Sequence, residues 1–528
     1  MARRAALLLF LVSTSLSVVA CAAEVGDSRP ADGAEAAAEA TPPGTTPPVD
    51  PPDDPKDGSI VVTHERQLRG AWISTVYNGT WPSRTGLTPA AAKAELTTIL
   101  DALAAARMNA VFFQVRAESD AFYPSMLEPW SRFLTGTQGQ DPGWDPLAFA
   151  IEEGHKRGIE VHAWLNPYRG LVSAQIAVAP THVTKQLASA VRPYGGLVWM
   201  DPGVPEVRAH ILDVVHDILQ RYDVDGIHFD DYFYPYPKAG ETFDDAATYA
   251  AYTAGGGGLT KDEWRRKNVD TMVRETSELV TKTRASVRFG VSPFGIYRPG
   301  TPPGITGLDA YATLYCDPVR WMDEGWVDYL APQLYWPTTQ TAQAFGKLVA
   351  WWAGITKPGR SIFVGHDATK AGTVAAWAAD EYDAQMTLAA AERPRGVRGN
   401  IFFSAKPLVT DQASLRTTLV EKHWTTPAST PALATASLEK PGAAPLVSSE
   451  PGVQSVTVTT DASARYVAVY RETGTDAYVI ERLVPTASSA GSSASTNEIV
   501  VPLESGRWAI SIVDRRGVES RGTPVIVE

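Results

Sequence analysis

Short apolar runs alternate with amphipathic stretches through the central part of the chain. The runs are rich in β-branched and aromatic residues and have the length of strands, whereas stretches between them, such as 206–222, repeat apolar residues at intervals of three and four. Strands that alternate with helices indicate a parallel sheet, and eight such units predict a (β/α)₈ barrel. The predicted strands are 68–75, 109–116, 159–166, 224–231, 288–294, 327–336, 361–367 and 399–405.

A second pattern follows the predicted barrel. Residues 425–445 are rich in Pro, Ala and Thr, which predicts a linker. Five segments beyond it alternate apolar and polar residues with a period of two and are separated by turn residues, which predicts a small all-β sandwich. We therefore place the barrel at 61–424, the linker at 425–445 and the sandwich, whose strand spacing is similar to fibronectin type III, at 446–528.

The first 60 residues show neither pattern. Residues 1–21 have a basic start, an apolar stretch and small residues before Cys21, which is typical of an export signal and too short for a membrane span. The last four of them, VVAC, resemble a lipobox, in which the cysteine is lipidated and becomes the mature N-terminus; the alternative is an ordinary signal peptide cleaved nearby. Residues 22–60 are rich in Ala, Pro, Thr and acidic residues and predict a disordered tether.

A lipid on Cys21 would make the protein an exported lipoprotein on the cell envelope, at the outer membrane if the source is Gram-negative. The chain has two cysteines, so a lipidated Cys21 would leave Cys316 without a disulfide partner. The 528 residues are 44% hydrophobic, enough for a large core, and the net charge of −12 without a long Lys/Arg run argues against a nucleic-acid partner. We expect a monomer.

Alternate residues of a barrel strand point into the lumen, and the others pack against the helices. In 224–231, Ile227 and Phe229 share the apolar parity, so His228 and Asp230 should face the lumen. Asp230 then lies at the C-terminal mouth, where barrel active sites lie, and Asp231 points away. The same parity predicts these further inward residues: Trp72, Ser74, Gln114, Arg116, His162, Trp164, Asn166, Ser292, Gln333, Tyr335 and Ser404.

Such a set of side chains suits a sugar, because aromatic rings match the apolar face of the pyranose and planar polar groups match its hydroxyls. Arg116, Arg169 and Arg298 each follow a strand end, and guanidinium groups bind carboxylates bidentately. They indicate a sugar that carries an acid, such as the lactyl group of N-acetylmuramic acid or a uronic acid. The alternative is that one or two of them pair with Asp230, Asp231 or Asp120.

Three histidines, His162, His228 and His366, raise a metal site as an alternative, since barrel metallohydrolases use inward histidines. That class usually has a His-x-His pair on its first strand, and LRGAWIST (68–75) contains no histidine. We therefore predict no metal and no other cofactor.

Seven sequence blocks, taken together and in order, resemble the glycosyl-hydrolase-like family 10 domain of bacterial lipoproteins and secreted proteins. The resemblance covers about 66–410 and implies a (β/α)₈ barrel that cleaves glycosidic bonds. Some members of the family act on peptidoglycan glycan strands stripped of their peptides. Tyr232 and Trp336 of these blocks join the predicted substrate-binding residues. The blocks are RGAWISTVYNGTWPS, FFQVRAESDAFYPS, VHAWLNPYR, VDGIHFDDYFYP, GVSPFGIYR, DYLAPQLYW and NIFFSA.

The Gly-x-His-x-Asp arrangement in VDGIHFDDYFYP resembles the α-amylase-like barrels, and the Asn-Glu pair of xylanases is absent. The resemblance implies that Asp230 is the nucleophile and that His228 lines the site. Those barrels carry a Glu acid at the fifth strand end, and SPFGIYR (292–298) has no carboxylate there. Glycoside hydrolysis generally uses two carboxyl groups. The candidates for the proton donor are Glu118, Asp120, Asp231, Asp317 and Asp367.

The sequence thus predicts a membrane-anchored glycoside hydrolase that acts on a cell-envelope polysaccharide. The first alternative is a non-catalytic carbohydrate-binding lipoprotein, which release of reducing ends would exclude. The second is a metal-dependent deacetylase, which chelation would test.

Overall fold

The computed structural model describes residues 58–436, 442–475, 477–486 and 496–528. The predicted export signal, Cys21 and the tether up to residue 57 lie outside these residues. Within them, no helix is long and apolar enough to cross a membrane. The strands as far as residue 403 are β1 (Leu68–Ile73), β2 (Ala110–Arg116), β3 (Glu160–Leu165), β4 (Arg169–Leu171), β5 (Val191–Tyr194), β6 (Leu197–Met200), β7 (Gly226–Phe229), β8 (Arg288–Val291), β9 (Tyr329–Leu330), β10 (Ser361–Asp367) and β11 (Val397–Phe403).

Eight of these strands close a parallel barrel, which confirms the predicted (β/α)₈ architecture. They run around the wall in the order β1, β2, β3, β7, β8, β9, β10 and β11, and β11 pairs with β1. Strands β4, β5 and β6 form a small separate sheet. The helices are α1 (Pro89–Ala105), α2 (Arg132–Thr135), α3 (Pro146–Lys156), α4 (Val183–Gln186), α5 (Pro205–Arg221), α6 (Ala246–Ala254), α7 (Lys261–Thr283), α8 (Ala310–Thr313), α9 (Pro318–Asp323), α10 (Phe345–Gly354), α11 (Ala379–Ala391), α12 (Ala405–Val409) and α13 (Leu415–Thr418).

Two apolar layers separate the inside of the barrel from its outside, as strand alternation predicts. Ile227 and Phe229 belong to the large core between the strands and the helix ring. Trp72, Phe112 and Tyr329 belong to a smaller core that fills the lumen. The lumen is therefore packed rather than open, and a ligand reaches it at one end.

The C-terminal part of the chain forms the predicted sandwich. One antiparallel sheet has the order β12-β13-β16, and the other has the order β15-β14-β17-β18. Inward residues such as Val456, Val467 and Trp508 make its core. The strands are β12 (Val447–Ser449), β13 (Ser455–Thr460), β14 (Ala464–Gly474), β15 (Ala477–Pro485), β16 (Asn497–Pro502), β17 (Gly506–Asp514) and β18 (Thr523–Val527).

Residues 425–436, which the composition predicts as the first half of a linker, pack against the N-terminal end of the barrel. Oγ1 of Thr430 donates a hydrogen bond to Glu160 (2.6 Å), and Arg288 donates one to the carbonyl oxygen of Pro431 (2.5 Å). Leu433 is buried as well. The segment stays on the barrel because its backbone and hydroxyl groups form hydrogen bonds with the buried charged side chains at the starts of β3 and β8.

The sandwich docks on the same end of the barrel through charged and polar contacts. Arg465 of β14 forms a buried ion pair with Asp225, just before β7, and the hydroxyl of Tyr466 donates to the carbonyl oxygen of Gly158 (2.8 Å). Arg515 pairs with Asp223. Barrel and sandwich therefore share a buried interface, opposite to the mouth at which barrel active sites lie.

We expect Arg465→Ala to lower the free energy of unfolding by about 3 kcal/mol, because Asp225 would be left buried without its cationic partner. The side chains of this pair are 8% and 5% exposed. Denaturant unfolding of the full chain measures the change. The matched control is Arg274→Ala, which removes an exposed i,i+4 pair with Glu278 and should change stability by about 0.5 kcal/mol or less. Equal effects of the two substitutions would show that the interface contributes little to stability.

Candidate active site

A pocket of about 320 Å³ opens at the C-terminal mouth of the barrel. It lies where the strand ends and the loops after them converge, as expected for a barrel active site. Ten of its lining residues are among those that strand parity or the sequence blocks single out. They are Trp72, Ser74, Gln114, Trp164, Arg169, Asp230, Tyr232, Ser292, Gln333 and Tyr335.

Asp230 contributes a nearly buried carboxylate to this pocket, with 7% of the residue exposed. Its Oδ1 accepts hydrogen bonds from the backbone N–H of Asp231 (2.9 Å) and from Nε2 of Gln333 (3.3 Å). Its Oδ2 accepts one from Nδ2 of Asn166 (3.1 Å). Burial raises the pKa of Asp230 above its ordinary value, while these donors and the guanidinium of Arg169 act in the opposite direction.

Asp231 is buried beside the pocket and does not line it, in agreement with its predicted parity. The hydroxyl of Tyr236 donates to Oδ2 of Asp231, and Oδ1 has no hydrogen-bond partner among the described residues. Burial, followed by the charge of Asp230, raises the pKa of Asp231 well above its ordinary range. Both carboxyl groups are therefore harder to ionise than a free aspartate, and the charged form is disfavoured most strongly on Asp231, which does not face the pocket.

Asn166 supports the pocket from behind. This predicted substrate-binding residue is fully buried and does not line the cavity. Its Oδ1 accepts hydrogen bonds from Nε2 of Gln114 (2.7 Å) and from Arg169 (3.0 Å), and its amide donates to Asp230. One amide thus fixes three side chains that line the pocket.

His162 and His228, predicted to bind substrate, lie below the pocket in the barrel interior and are fully buried. Nε2 of His228 accepts a hydrogen bond from Nε1 of Trp72 (3.2 Å). The hydroxyl of Tyr329 lies 3.0 Å from Nδ1 of His228 and 3.1 Å from Nδ1 of His162. Burial lowers the pKa of both histidines, so both are neutral. Strand parity correctly predicts that both side chains point into the barrel, but it does not predict how far below the mouth they lie.

The three predicted arginines have different positions. Arg116 is buried, with its guanidinium 2.6 Å from Glu128, and does not line the pocket. Arg298 is half-exposed and lies 3.7 Å from Asp309. Both arginines therefore pair within the protein, but with Glu128 and Asp309 instead of the predicted Asp230, Asp231 or Asp120. Arg169 is the one of the three that lines the pocket, where it lies over the ring of Tyr232 at 5.3 Å.

Glu118 and Asp120, two candidates for the proton donor, are buried outside the pocket. Glu118 pairs with Arg132 at 2.9 Å, and burial followed by the charge of Asp120 raises its pKa. Asp120 accepts a hydrogen bond from the backbone N–H of Glu118 (2.8 Å). The two carboxylates therefore organise the loop after β2.

Four further predicted residues also lie outside the pocket lining. The side chain of Asp317 caps the N-terminus of α9, and that of Asp367 caps the short helical turn after β10. Trp336 packs edge-on against Phe294, with the ring centroids 5.6 Å apart. Ser404 is buried directly after β11.

The three histidines that raised the metal alternative do not come together. His366 hydrogen-bonds to Gln385 (2.7 Å) and Asn400 (2.9 Å) and stacks on Phe402 of the outer core, whereas His162 and His228 lie inside the barrel. Within the part of the chain that the structure describes, no group of three or more His, Cys, Asp or Glu residues could hold a metal ion.

The pocket also contains four residues that the sequence analysis missed: Val76, Tyr77, Gly79 and Phe403. Tyr77 is 66% exposed, and its backbone has a φ of 57°, in the left-handed region that non-glycine residues rarely adopt. Strand parity could not find it, because it lies in the loop after β1. The exposed aromatic residue in the block RGAWISTVYNGTWPS was the available signal.

A (β/α)₈ barrel with an aromatic pocket around a carboxylate at its C-terminal mouth defines a glycosidase-type protein. The chain belongs to the Glycosyl hydrolase-like 10 family, whose model matches residues 67–381. This confirms the resemblance seen in the seven sequence blocks.

The chain is similar to two curated members of this class. It is 38% identical over 379 residues to Glycosyl hydrolase YngK of Bacillus subtilis (strain 168), across 70% of this chain and 74% of that protein. It is 37% identical over 320 residues to Glycosyl hydrolase DigH of Escherichia coli (strain K12), across 56% of this chain and 72% of that protein. The glycoside hydrolase domain of PgaB (BpsB) from Bordetella bronchiseptica matches with 12% identity and a TM-score of 0.44, over 67% of this chain and 98% of that one.

We expect Tyr77→Ala to raise the Michaelis constant for an oligosaccharide substrate by about fivefold, because an exposed ring at the pocket contributes about 1 kcal/mol by stacking. The turnover number should change little, since stacking on a sugar ring stabilises the bound substrate and the transition state to a similar extent. Tyr77→Trp keeps an aromatic face and serves as the control. Steady-state kinetics on oligosaccharides of increasing length measures both constants, and equal kinetics of the Ala and Trp variants would contradict a binding role.

Proposed function

We propose that this protein is a glycoside hydrolase that acts on a polysaccharide of the cell envelope, with peptide-free peptidoglycan glycan strands as the candidate substrate. The observation that carries the proposal is the pocket at the barrel mouth, which combines a nearly buried carboxylate, Asp230, with aromatic side chains. Aromatic faces hold sugar rings, and a carboxyl group in a water-poor site supplies charge or a proton to the glycosidic bond. Membership of the family supports the same reaction type.

Arg169 supports a substrate that carries an acid. Its Nε donates to the carbonyl oxygen of Ala117 (2.8 Å) and one terminal nitrogen donates to Asn166 (3.0 Å). These bonds fix the guanidinium at the wall of the pocket. Its other terminal nitrogen has no hydrogen-bond partner among the described residues, so it remains to bind a carboxylate such as the lactyl group of N-acetylmuramic acid.

We further propose that Cys21 anchors the protein to the envelope through a lipid, with residues 22–60 as a tether. The lipobox-like residues before Cys21 and the Pro-rich composition after it support this location.

Cys21→Ser should move the protein from the membrane fraction to the soluble fraction, because the thiol that would receive the lipid is lost. Fractionation followed by immunoblotting measures the distribution. The matched control is Cys316→Ser, which changes a buried cysteine of the barrel and should leave the protein with the membranes. A Cys21→Ser protein that stays with the membranes contradicts the anchor.

Asp230→Asn should reduce turnover by roughly a thousandfold or more, which is about 4 kcal/mol of barrier. The substitution keeps the shape of the side chain but removes its charge and its transferable proton. The free energy of unfolding should change by only about 1 kcal/mol, since the neighbouring groups are polar and can bond to the amide as well. The assay is the digestion of purified glycans, including peptide-free peptidoglycan strands, with product masses and reducing ends as the readout.

Asp231→Asn is the matched control, because it makes the same chemical change one residue further along the chain, outside the pocket. It should cost less activity than Asp230→Asn. Binding of a glycan without any release of reducing ends by the wild type would favour the non-catalytic lipoprotein instead. Near-normal turnover of Asp230→Asn would show that the acting carboxyl groups lie elsewhere.

A further inference from the structure

The pocket contains fewer carboxyl groups than glycoside hydrolysis usually employs. Most glycosidases place two at the scissile bond, one to protonate the leaving oxygen and one to act as nucleophile or to activate water. Among the described residues that line this pocket, Asp230 is the one carboxylate. The other candidates are committed to roles elsewhere: Glu118 pairs with Arg132, Asp120 holds the loop after β2, and Asp317 and Asp367 cap helical turns.

Asp231 does not fill the second role. It is 1% exposed, and its Oδ1 has no hydrogen-bond partner among the described residues. An ionised carboxylate oxygen without a donor is strongly disfavoured in such a place, so Asp231 is neutral. A neutral and buried carboxyl group can neither attack the sugar nor activate a water molecule in the pocket.

We propose that the nucleophile comes from the substrate: the pocket hydrolyses glycosides of 2-acetamido-2-deoxy sugars, with the acetamido oxygen attacking the anomeric carbon and Asp230 delivering the proton. This inference rests on the proposed glycosidase function. Asp230 then protonates the leaving glycosidic oxygen, which the substrate cannot do for itself. This proton is needed because a sugar alkoxide is a poor leaving group. The resemblance to α-amylase-like barrels implied a nucleophile at this position, and the single carboxylate of the pocket favours the acid.

The pocket offers complementary groups for an acetamido substituent. Nε1 of Trp164 has no hydrogen-bond partner among the described residues, although the residue is only 5% exposed and lines the pocket. It is therefore a buried donor that a substrate oxygen can satisfy. Trp72, Tyr335 and Phe403 form an aromatic wall beside it, in which Tyr335 and Phe403 stack with centroids 6.2 Å apart. Such a wall accommodates a methyl group.

The reaction then balances in two steps. In the first, the acetamido oxygen forms a bond to the anomeric carbon, the bond from that carbon to the glycosidic oxygen breaks, and the proton of Asp230 moves to the leaving oxygen. In the second, water attacks the anomeric carbon of the cyclic oxazolinium, the ring oxygen returns to the amide, and Asp230 takes the proton of the water. Two displacements at one carbon give net retention of configuration.

The test compares one glycan with different N-acyl groups. A glycan that the full-length protein cleaves is de-N-acetylated and then re-acylated with acetyl, fluoroacetyl, difluoroacetyl or trifluoroacetyl groups. Fluorine withdraws electrons from the amide oxygen, so a participating amide predicts that kcat/KM falls at each step, by at least roughly tenfold per two fluorines. The first product observed by NMR should have the anomeric configuration of the substrate.

Trp164→Phe keeps an aromatic side chain and removes the free indole N–H, so it should weaken binding of the N-acetyl glycan and leave the fluorine dependence in place. A rate that does not depend on fluorination, or an inverted product, would overturn this inference and leave the glycosidase function standing. Cleavage of the de-N-acetylated glycan at the rate of the acetylated one would likewise overturn this inference, because no acetamido oxygen would be present to attack. Failure to cleave any glycan would overturn both proposals.

Discussion

A chain of buried hydrogen bonds along the barrel axis connects the pocket to the opposite end of the barrel. The indole N–H of Trp72 can only donate, so Nε2 of His228 accepts and Nδ1 of His228 carries the hydrogen. That hydrogen goes to the hydroxyl of Tyr329, which in turn donates to Nδ1 of His162. Nε2 of His162 then donates to Glu160 at 3.2 Å. Each tautomer is set by its neighbour, and the neutral histidines agree with their lowered pKa values.

The lower end of this chain explains why the sandwich docks where it does. Burial alone would raise the pKa of Glu160, but Arg288 and the hydrogen bond from His162 bring it below its ordinary value. Thr430 donates to the same carboxylate from the segment that leads to the sandwich. The C-terminal part of the polypeptide thus covers the end of the barrel over a buried charge. The series of axial hydrogen bonds connects that end to Trp72 in the pocket wall.

Strand periodicity was sufficient to predict the barrel, the sandwich and most of the pocket. Trp72 and Asp230 were found because side-chain alternation fixes the direction of a residue. It does not fix depth, and so His162 and His228 were predicted to bind substrate although they lie beneath the pocket. Glycines on the adjacent strands make room for two of the buried rings: a β-carbon at Gly226, which pairs with His162, would overlap the ring of His162, and one at Gly290, which pairs with Tyr329, would overlap the ring of Tyr329. Tyr77 was missed because a loop has no alternation to follow.

The two aspartates of GIHFDDYFYP differ in their surroundings because the chain changes direction between them. Asp230 continues the inward parity of β7 and meets donors from three elements at the pocket, namely Asn166, Gln333 and the backbone after it. Asp231 turns into a space where its Oδ2 accepts a hydrogen bond from Tyr236 and its Oδ1 has no hydrogen-bond partner among the described residues. A buried carboxyl group with so little compensation stays neutral, so it places no charge beside Asp230. The sequence thereby places one carboxyl group of the pair, and not both, in the lining of the pocket.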